Sequence, residues 1–134
     1  LGKRFPRGYI STTAKVSERA TLTPPYFISD GVNISEGSYI DSNTIIGKNS
    51  VIKSGVYIGE SLIMDNVIIN ENSFIKGSII ADKCKIGKWN HIREETIFGE
   101  EVITYDGVLV NKKNIILPNK EVTESIYEED KIIL

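Results

Sequence analysis

Aliphatic residues recur at every sixth position near the start of the chain: Ile10, Val16, Leu22, Ile28, Ile34, Ile40, Ile46, Ile52 and Ile58. Ile, Val and Leu make up roughly a quarter to a third of the residues, so nine consecutive hits by chance are expected on the order of once in 10⁵ trials. Two further ladders run in step with the first. Three positions after each aliphatic residue from Ile28 onward stand Gly31, Gly37, Asn43, Asn49 and Gly55. Gly and Asn enter the left-handed region of backbone space at the least steric cost, so this ladder predicts a corner every sixth residue. One position further lie Val32, Ser38, Thr44, Ser50 and Val56, small or β-branched and suited to tight inward packing. The pattern predicts short strands separated by corners. Three hexapeptides then close a triangular turn of about 18 residues, and successive turns stack at about 4.8 Å.

Beyond Ile58 the inward positions become Ile63, Ile69, Ile75, Ile80, Ile86, Ile92 and Phe98, with five-residue steps from 58 to 63 and from 75 to 80. The coil is expected to shorten at one corner there. Ser61-Leu62-Ile63, Ser78-Ile79-Ile80 and Thr96-Ile97-Phe98 should stack on one face, and Ile10 to Phe98 should span about five turns, or roughly 25 Å. After Phe98 the pattern loosens through Val102, Tyr105, Gly107, Val108 and Val110 to Ile115-Ile116-Leu117-Pro118, and one more irregular coil is expected. This organisation resembles the known hexapeptide-repeat class and implies an all-β fold, a left-handed parallel β-helix with a short irregular C-terminal cap. The handedness comes from that resemblance, since the period does not derive it.

At 134 residues the chain has room for one continuous core. The expected organisation is a linker or cloning remnant over residues 1–9, the β-helix over 10–120, and an acidic capping tail over 121–134. That tail carries Glu121, Glu124, Glu128, Glu129 and Asp130 and ends in Ile132-Ile133-Leu134. Leu1 in place of Met reads as a cut end, with something longer preceding it. Sixteen basic and 18 acidic residues are mixed along the chain for a net charge of −2. No basic stripe points to nucleic acid and no polybasic segment points to a membrane surface. No apolar run approaches the roughly 20 residues that span a bilayer. One cysteine excludes a disulfide framework, and a cytoplasmic location is the default expectation.

Few residues here suggest chemistry. Cys84 falls in the small inward slot and is expected to be a buried, inert thiol. Asp65-Asn66 and Asp82 lie near the five-residue corners, where Asp and Asn serve turns, and no metal site is expected. Trp89 occupies a corner and should expose its indole for a subunit contact or for edge packing. Tyr39, Tyr57 and Phe74 each directly precede an inward aliphatic residue and should point outward, as should Tyr9 and Tyr26. With Trp89, the Tyr39, Tyr57 and Phe74 side chains are the interface candidates.

The run from Ile10 to Val16, Pro24-Pro25-Tyr26-Phe27-Ile28, and Gly31 with Ile34 resembles the entry to the C-terminal β-helix of sugar-1-phosphate nucleotidylyltransferases. The later segments Ser78-Ile79-Ile80, Ile86-Gly87-Lys88-Trp89, Val110-Asn111, and Ile116-Leu117-Pro118-Asn119-Lys120 to Ser125-Ile126 resemble the mannose-1-phosphate guanylyltransferase branch. The resemblance spans nearly the whole chain. It implies a parent that transfers a nucleotidyl group from a nucleoside triphosphate to a sugar 1-phosphate, with Mg²⁺ held in a separate N-terminal domain. That domain's glycine-rich signature is not in this sequence, where glycines stand singly at corners. The resemblance thus implies a non-catalytic domain that binds no cofactor, joins its own catalytic domain, forms a homo-oligomer and in some members regulates. The competing class is the hexapeptide acyltransferase, built on the same β-helix as a trimer that uses acetyl-CoA and a catalytic His. His91 is the one histidine available, and a general base also needs an orienting partner. Such enzymes commonly throw out a long loop, for which the beat from Ile10 to Phe98 leaves no room.

Overall fold

The computed structural model describes residues 2–5 and 7–134, with the backbone alone at Lys3, Arg4 and Phe5. The expectation resting on Leu1 lies outside the described residues. Among them there is no helix: short strands of two to four residues build three sheets, of nine, seven and six strands. The strands pair in parallel, each with the strand one turn before and one turn after it, apart from one antiparallel pair at the start. The molecule is a left-handed parallel β-helix.

The predicted beat fixes the register. Ile10 pairs with Ile28, Ile28 with Ile46, Ile46 with Ile63, Ile63 with Ile80, Ile80 with Phe98, Phe98 with Ile116, and Ile116 with Ile133, which makes seven turns. From Ile28 to Phe98 every inward residue of the beat is shielded from water. Val16 and Leu22 are half-buried because their strands have a neighbour on one side only, and Ile10, between the antiparallel edge strand and the second turn, is half-buried as well. Gly31, Gly37, Asn43, Asn49 and Gly55 all have left-handed backbone, as the corner ladder predicts. The two five-residue steps fall at one corner, between the six- and nine-stranded faces, at Glu60 and Gly77.

The small inward slots tie neighbouring turns together. Ser50 Oγ donates to the Met64 carbonyl at 2.8 Å and accepts from Val67 N–H at 3.1 Å. Ser73 Oγ repeats this with the Gly87 carbonyl and Asn90 N–H. Corner carbonyls that the strand ladders leave over are satisfied in this way, as buried polar backbone requires.

Two features depart from the expected organisation. Residues 2–5 pair antiparallel with Gly8–Ser11, so part of the segment read as a linker extends the nine-stranded sheet. The coil also continues in regular steps past Phe98: Val110, Ile116 and Val122 keep the six-residue beat, and all are buried. The beat is hard to see there because Thr104 takes one inward position. Its hydroxyl is satisfied by Gly87 N–H and by Asn90 Oδ1. Residues 121–134, read as a tail beyond the coil, supply the strands Glu121–Val122 and Ile132–Ile133 and an isolated bridge from Ile126 to Val110. Asn114 fastens this last, open turn, with Nδ2 donating to the Glu128 carbonyl at 2.7 Å and Oδ1 accepting from Lys131 N–H at 3.0 Å.

Candidate functional site

The residue before each inward aliphatic points away from the core, so each face of the prism carries one outward row. On the six-stranded face the row reads Thr21, Tyr39, Tyr57, Phe74, His91 and Leu109, in register. Its rings lie one on another. Tyr39 and Tyr57 meet edge to face at 5.5 Å, Tyr57 and Phe74 stack at 4.5 Å and 9°, and Phe74 and His91 meet edge to face at 4.8 Å. Three of the four interface candidates, Tyr39, Tyr57 and Phe74, are therefore one continuous stack. Trp89 is not part of it: it stands on the preceding corner with φ of 56° and 68% of its surface exposed.

The stack is anchored by polar contacts. Tyr57 Oη donates to Asp41 Oδ2 at 2.6 Å, and Asp41 Oδ1 accepts from Ser42 N–H at 2.7 Å. Burial, reinforced by the Asp41 carboxylate, pushes the Tyr57 phenol up to about 12. The same phenol bond, with the Ser42 bond behind it, holds the Asp41 carboxyl below its ordinary value. His91 ends the ring stack, and partial burial followed by the Arg93 charge lowers its pKa. Among the described residues no hydrogen bond orients its imidazole. A neutral ring at pH 7 suits a base, but a base without an orienting partner is poorly set for proton transfer.

The other candidate groups serve the coil. Cys84 is fully buried, donates to the Gly99 carbonyl at 3.1 Å, and is pushed by burial up to about 11, far from thiolate chemistry. Asp82 Oδ1 accepts from Asp65 N–H, and Asp65 Oδ1 accepts from Lys48 N–H, each at 2.9 Å, so both carboxylates hold the next corner. Among the described residues no three His, Cys, Asp or Glu side chains converge as metal ligands. Among the described residues no helix is long and apolar enough to cross a membrane.

Of the two remaining outward candidates, one points outward as expected and one does not. Tyr9 belongs to the nine-stranded face, where its ring stacks on Phe27 at 4.7 Å. Tyr26 points inward: it occupies the small slot above Gly8, and its ring lies 2.5 Å from where a Gly8 Cβ would stand.

The row that sequence reasoning missed is on that same nine-stranded face. It reads Tyr9, Phe27, Ile45, Leu62, Ile79, Ile97, Ile115 and Ile132, in register over eight strands. Phe27, Ile45, Ile79, Ile97, Ile115 and Ile132 are each more than a third exposed. Its signal in the sequence is an apolar doublet in every third hexapeptide: Ile45-Ile46, Leu62-Ile63, Ile79-Ile80, Ile97-Phe98, Ile115-Ile116, Ile132-Ile133. The seven-stranded face, by contrast, mixes Lys15, Asn33, Val51, Ile68, Lys85, Ile103 and Glu121.

Comparison with known proteins bears on what these faces serve. The family model described as the GMPPB C-terminal domain matches residues 22–133. A protein of Sulfolobus acidocaldarius named as a mannose-1-phosphate guanyltransferase is 46% identical over 134 residues, covering 100% of this chain and 37% of the relative. Mannose-1-phosphate guanylyltransferase 1 of Arabidopsis thaliana is 27% identical over 132 residues, covering 95% of this chain and 36% of the relative. The chain thus spans little more than a third of the length of these curated relatives. Among solved structures, UDP-N-acetylglucosamine O-acyltransferase from Moraxella catarrhalis superposes with a TM-score of 0.58 at 12% identity, over 87% of this chain and 65% of that one. That likeness is one of fold alone.

Proposed function

The chain belongs to the family of GMPPB C-terminal domains, and from that premise we propose that it is the non-catalytic β-helix domain of a mannose-1-phosphate guanylyltransferase, serving subunit assembly. In the parent reaction a sugar 1-phosphate oxygen attacks the α-phosphorus of the nucleoside triphosphate and diphosphate leaves, with Mg²⁺ held by a separate N-terminal catalytic domain in the cytoplasm. The observation that carries the non-catalytic reading is where the reactive groups stand. His91 ends an aromatic stack without an orienting bond, Cys84 is buried with a raised pKa, and the corner carboxylates of Asp65 and Asp82 hold backbone N–H groups. We assign the Tyr39, Tyr57 and Phe74 stack, with Trp89 at the adjacent corner, to contact with that catalytic domain. Polar and charged neighbours of both signs, Asp41, Lys76 and Arg93, flank the stack and suit a partner of different surface.

The test is an assay of nucleotidyl transfer from GTP to mannose 1-phosphate, run on the purified chain and on the chain fused behind the relatives' N-terminal portion. Turnover by the fusion and none by the isolated chain is the expected result. A calorimetric titration with acetyl-CoA is the counter-test: saturable binding that is lost in His91→Ala would replace this reading with the acyltransferase one.

A further inference from the structure

Of the three outward rows, the one on the nine-stranded face is aromatic or aliphatic at every position. It runs straight along all eight strands from Tyr9 to Ile132, about 34 Å at the strand spacing. The next outward position on each strand adds Met64 at the middle of the row and Leu117 and Leu134 at its C-terminal end, all exposed. The exposed surface of these side chains is on the order of 700 Å², above the roughly 300–600 Å² of the largest apolar patch on an ordinary monomer and close to the roughly 800 Å² per partner of a stable interface.

Charge says what can cover it. Along the eight coil strands neither the row nor the next outward positions, Ser11, Ser29, Gly47, Met64, Ala81, Gly99, Leu117 and Leu134, contain an Asp, Glu, Lys or Arg; Arg4 of the antiparallel edge strand pairs with Tyr9 at the N-terminal end. The other two faces carry charges in these positions: Lys15, Lys53, Lys85 and Glu121 on one, Asp41, Lys76 and Arg93 on the other. In a two-fold pairing each position of a face meets another position of the same face, so a face without charges along its coil strands can close on itself without burying an unpaired charge. It is also flat and regular, with side chains repeating at strand spacing, so two copies can pack sheet on sheet at about 10 Å.

We propose that the outer face of the nine-stranded sheet packs against the same face of a second copy of this chain about a two-fold axis, burying the row from Tyr9 to Ile132. The axis crosses the middle of the row, between Leu62 and Ile79. The pairing rests on the assembly reading above and names its partner. Its test reads mass rather than turnover, so either can fail alone.

Sedimentation equilibrium of the 134-residue chain at micromolar concentrations is expected to give twice the chain mass. Ile79→Lys, outward at the middle of the row, is expected to weaken association at least tenfold while the far-ultraviolet circular dichroism stays that of the wild type. Tyr57→Lys on the six-stranded face leaves the dimer in place. Where a lysine variant fails to fold, Ile79→Cys replaces it: a short bismaleimide links it into covalent dimers, whereas Ile103→Cys on the seven-stranded face is left without a cross-link. The buried Cys84 is silent in both. A wild-type chain that sediments as a monomer or a trimer, a dimer unmoved by Ile79→Lys, or equal cross-linking at Ile79→Cys and Ile103→Cys would overturn the proposal.

Discussion

Two faces of one prism carry apolar side chains outward, and they do opposite things with them. On the six-stranded face Tyr57, Phe74 and His91 are half-buried in their stack and Tyr57 is further tied to Asp41, while Tyr39 at the end of the rings stays exposed. On the nine-stranded face Ile45, Ile79, Ile97 and Ile115 stand side by side at the same spacing and remain exposed. Rings of this size reach the next strand and satisfy one another, whereas branched aliphatics project straight out and gain only edge contact with their neighbours. The two faces thus offer different surfaces to a partner: a stacked, polar-flanked row on the six-stranded face and an open aliphatic row on the nine-stranded face.

Both faces rest on one core, and the largest effect is expected from emptying it. Phe98 is the largest fully buried side chain and lies beneath the nine-stranded row. Phe98→Ala should cost about 3–5 kcal/mol, read by chemical denaturation with tryptophan fluorescence. Should Ile97 and Leu109, outward on different faces, lose hydrogen-exchange protection together in that variant, the two faces share one cooperative unit.

A smaller effect separates the first turn from the rest. Gly8→Ala places a methyl group 2.5–2.8 Å from ring atoms of Tyr26 and should cost about 1–3 kcal/mol in thermal denaturation. A double variant that also replaces Tyr26 with Ser should recover most of the loss. Absence of that recovery would mean that the ring does not fill the slot.

The six-stranded face can be probed through its phenol. Tyr57→Phe removes the bond to Asp41 and should cost about 1 kcal/mol at neutral pH. The raised phenol pKa stabilises the fold fully below pH 10, the ordinary value for tyrosine, and this contribution is lost as pH rises to about 12. The lowered Asp41 pKa acts at the other end, with stability present above the ordinary carboxylate value and lost as pH falls through the folded one. Denaturation of wild type and Tyr57→Phe as a function of pH should therefore converge in strong alkali and in strong acid. Curves that stay parallel would assign the loss to packing alone.

The smallest expected change is a gain. Thr44 is buried beneath the nine-stranded face, and its Oγ1 finds no partner. Thr44→Val should stabilise by about 0.5–1 kcal/mol, visible as a few degrees in melting temperature. A loss instead would show that the hydroxyl is satisfied in solution.

Much of this architecture is legible in the residues because its period is short and its inward positions are nearly all isoleucine. The five-residue steps at Glu60 and Gly77, the buried Cys84 and the stacked segments around Ile63, Ile80 and Phe98 all follow from the spacing. Legibility fails where one residue type does another's work. Thr104 interrupts the beat and made a regular turn look irregular. Tyr26 looks like an outward aromatic, and only the missing Cβ of Gly8 one turn away makes it an inward one. Corners at Lys83, Trp89, Glu95, Glu101 and Lys113 have left-handed backbone without a Gly or Asn to announce them, since stacking on the corners above and below imposes the conformation. The apolar row stays hidden for a geometric reason. Its members are adjacent in space but about 18 residues apart, so they appear only when outward positions are sorted by face.

The corner between the six- and nine-stranded faces loses a residue in two successive turns, at Glu60 and at Gly77, while the strands on either side keep their register. Chain length there is decoupled from the order of the stack. That makes this edge the natural port for grafting: a guest peptide spliced between Gly59 and Ser61 would leave as a side loop, with the rungs above and below still in step.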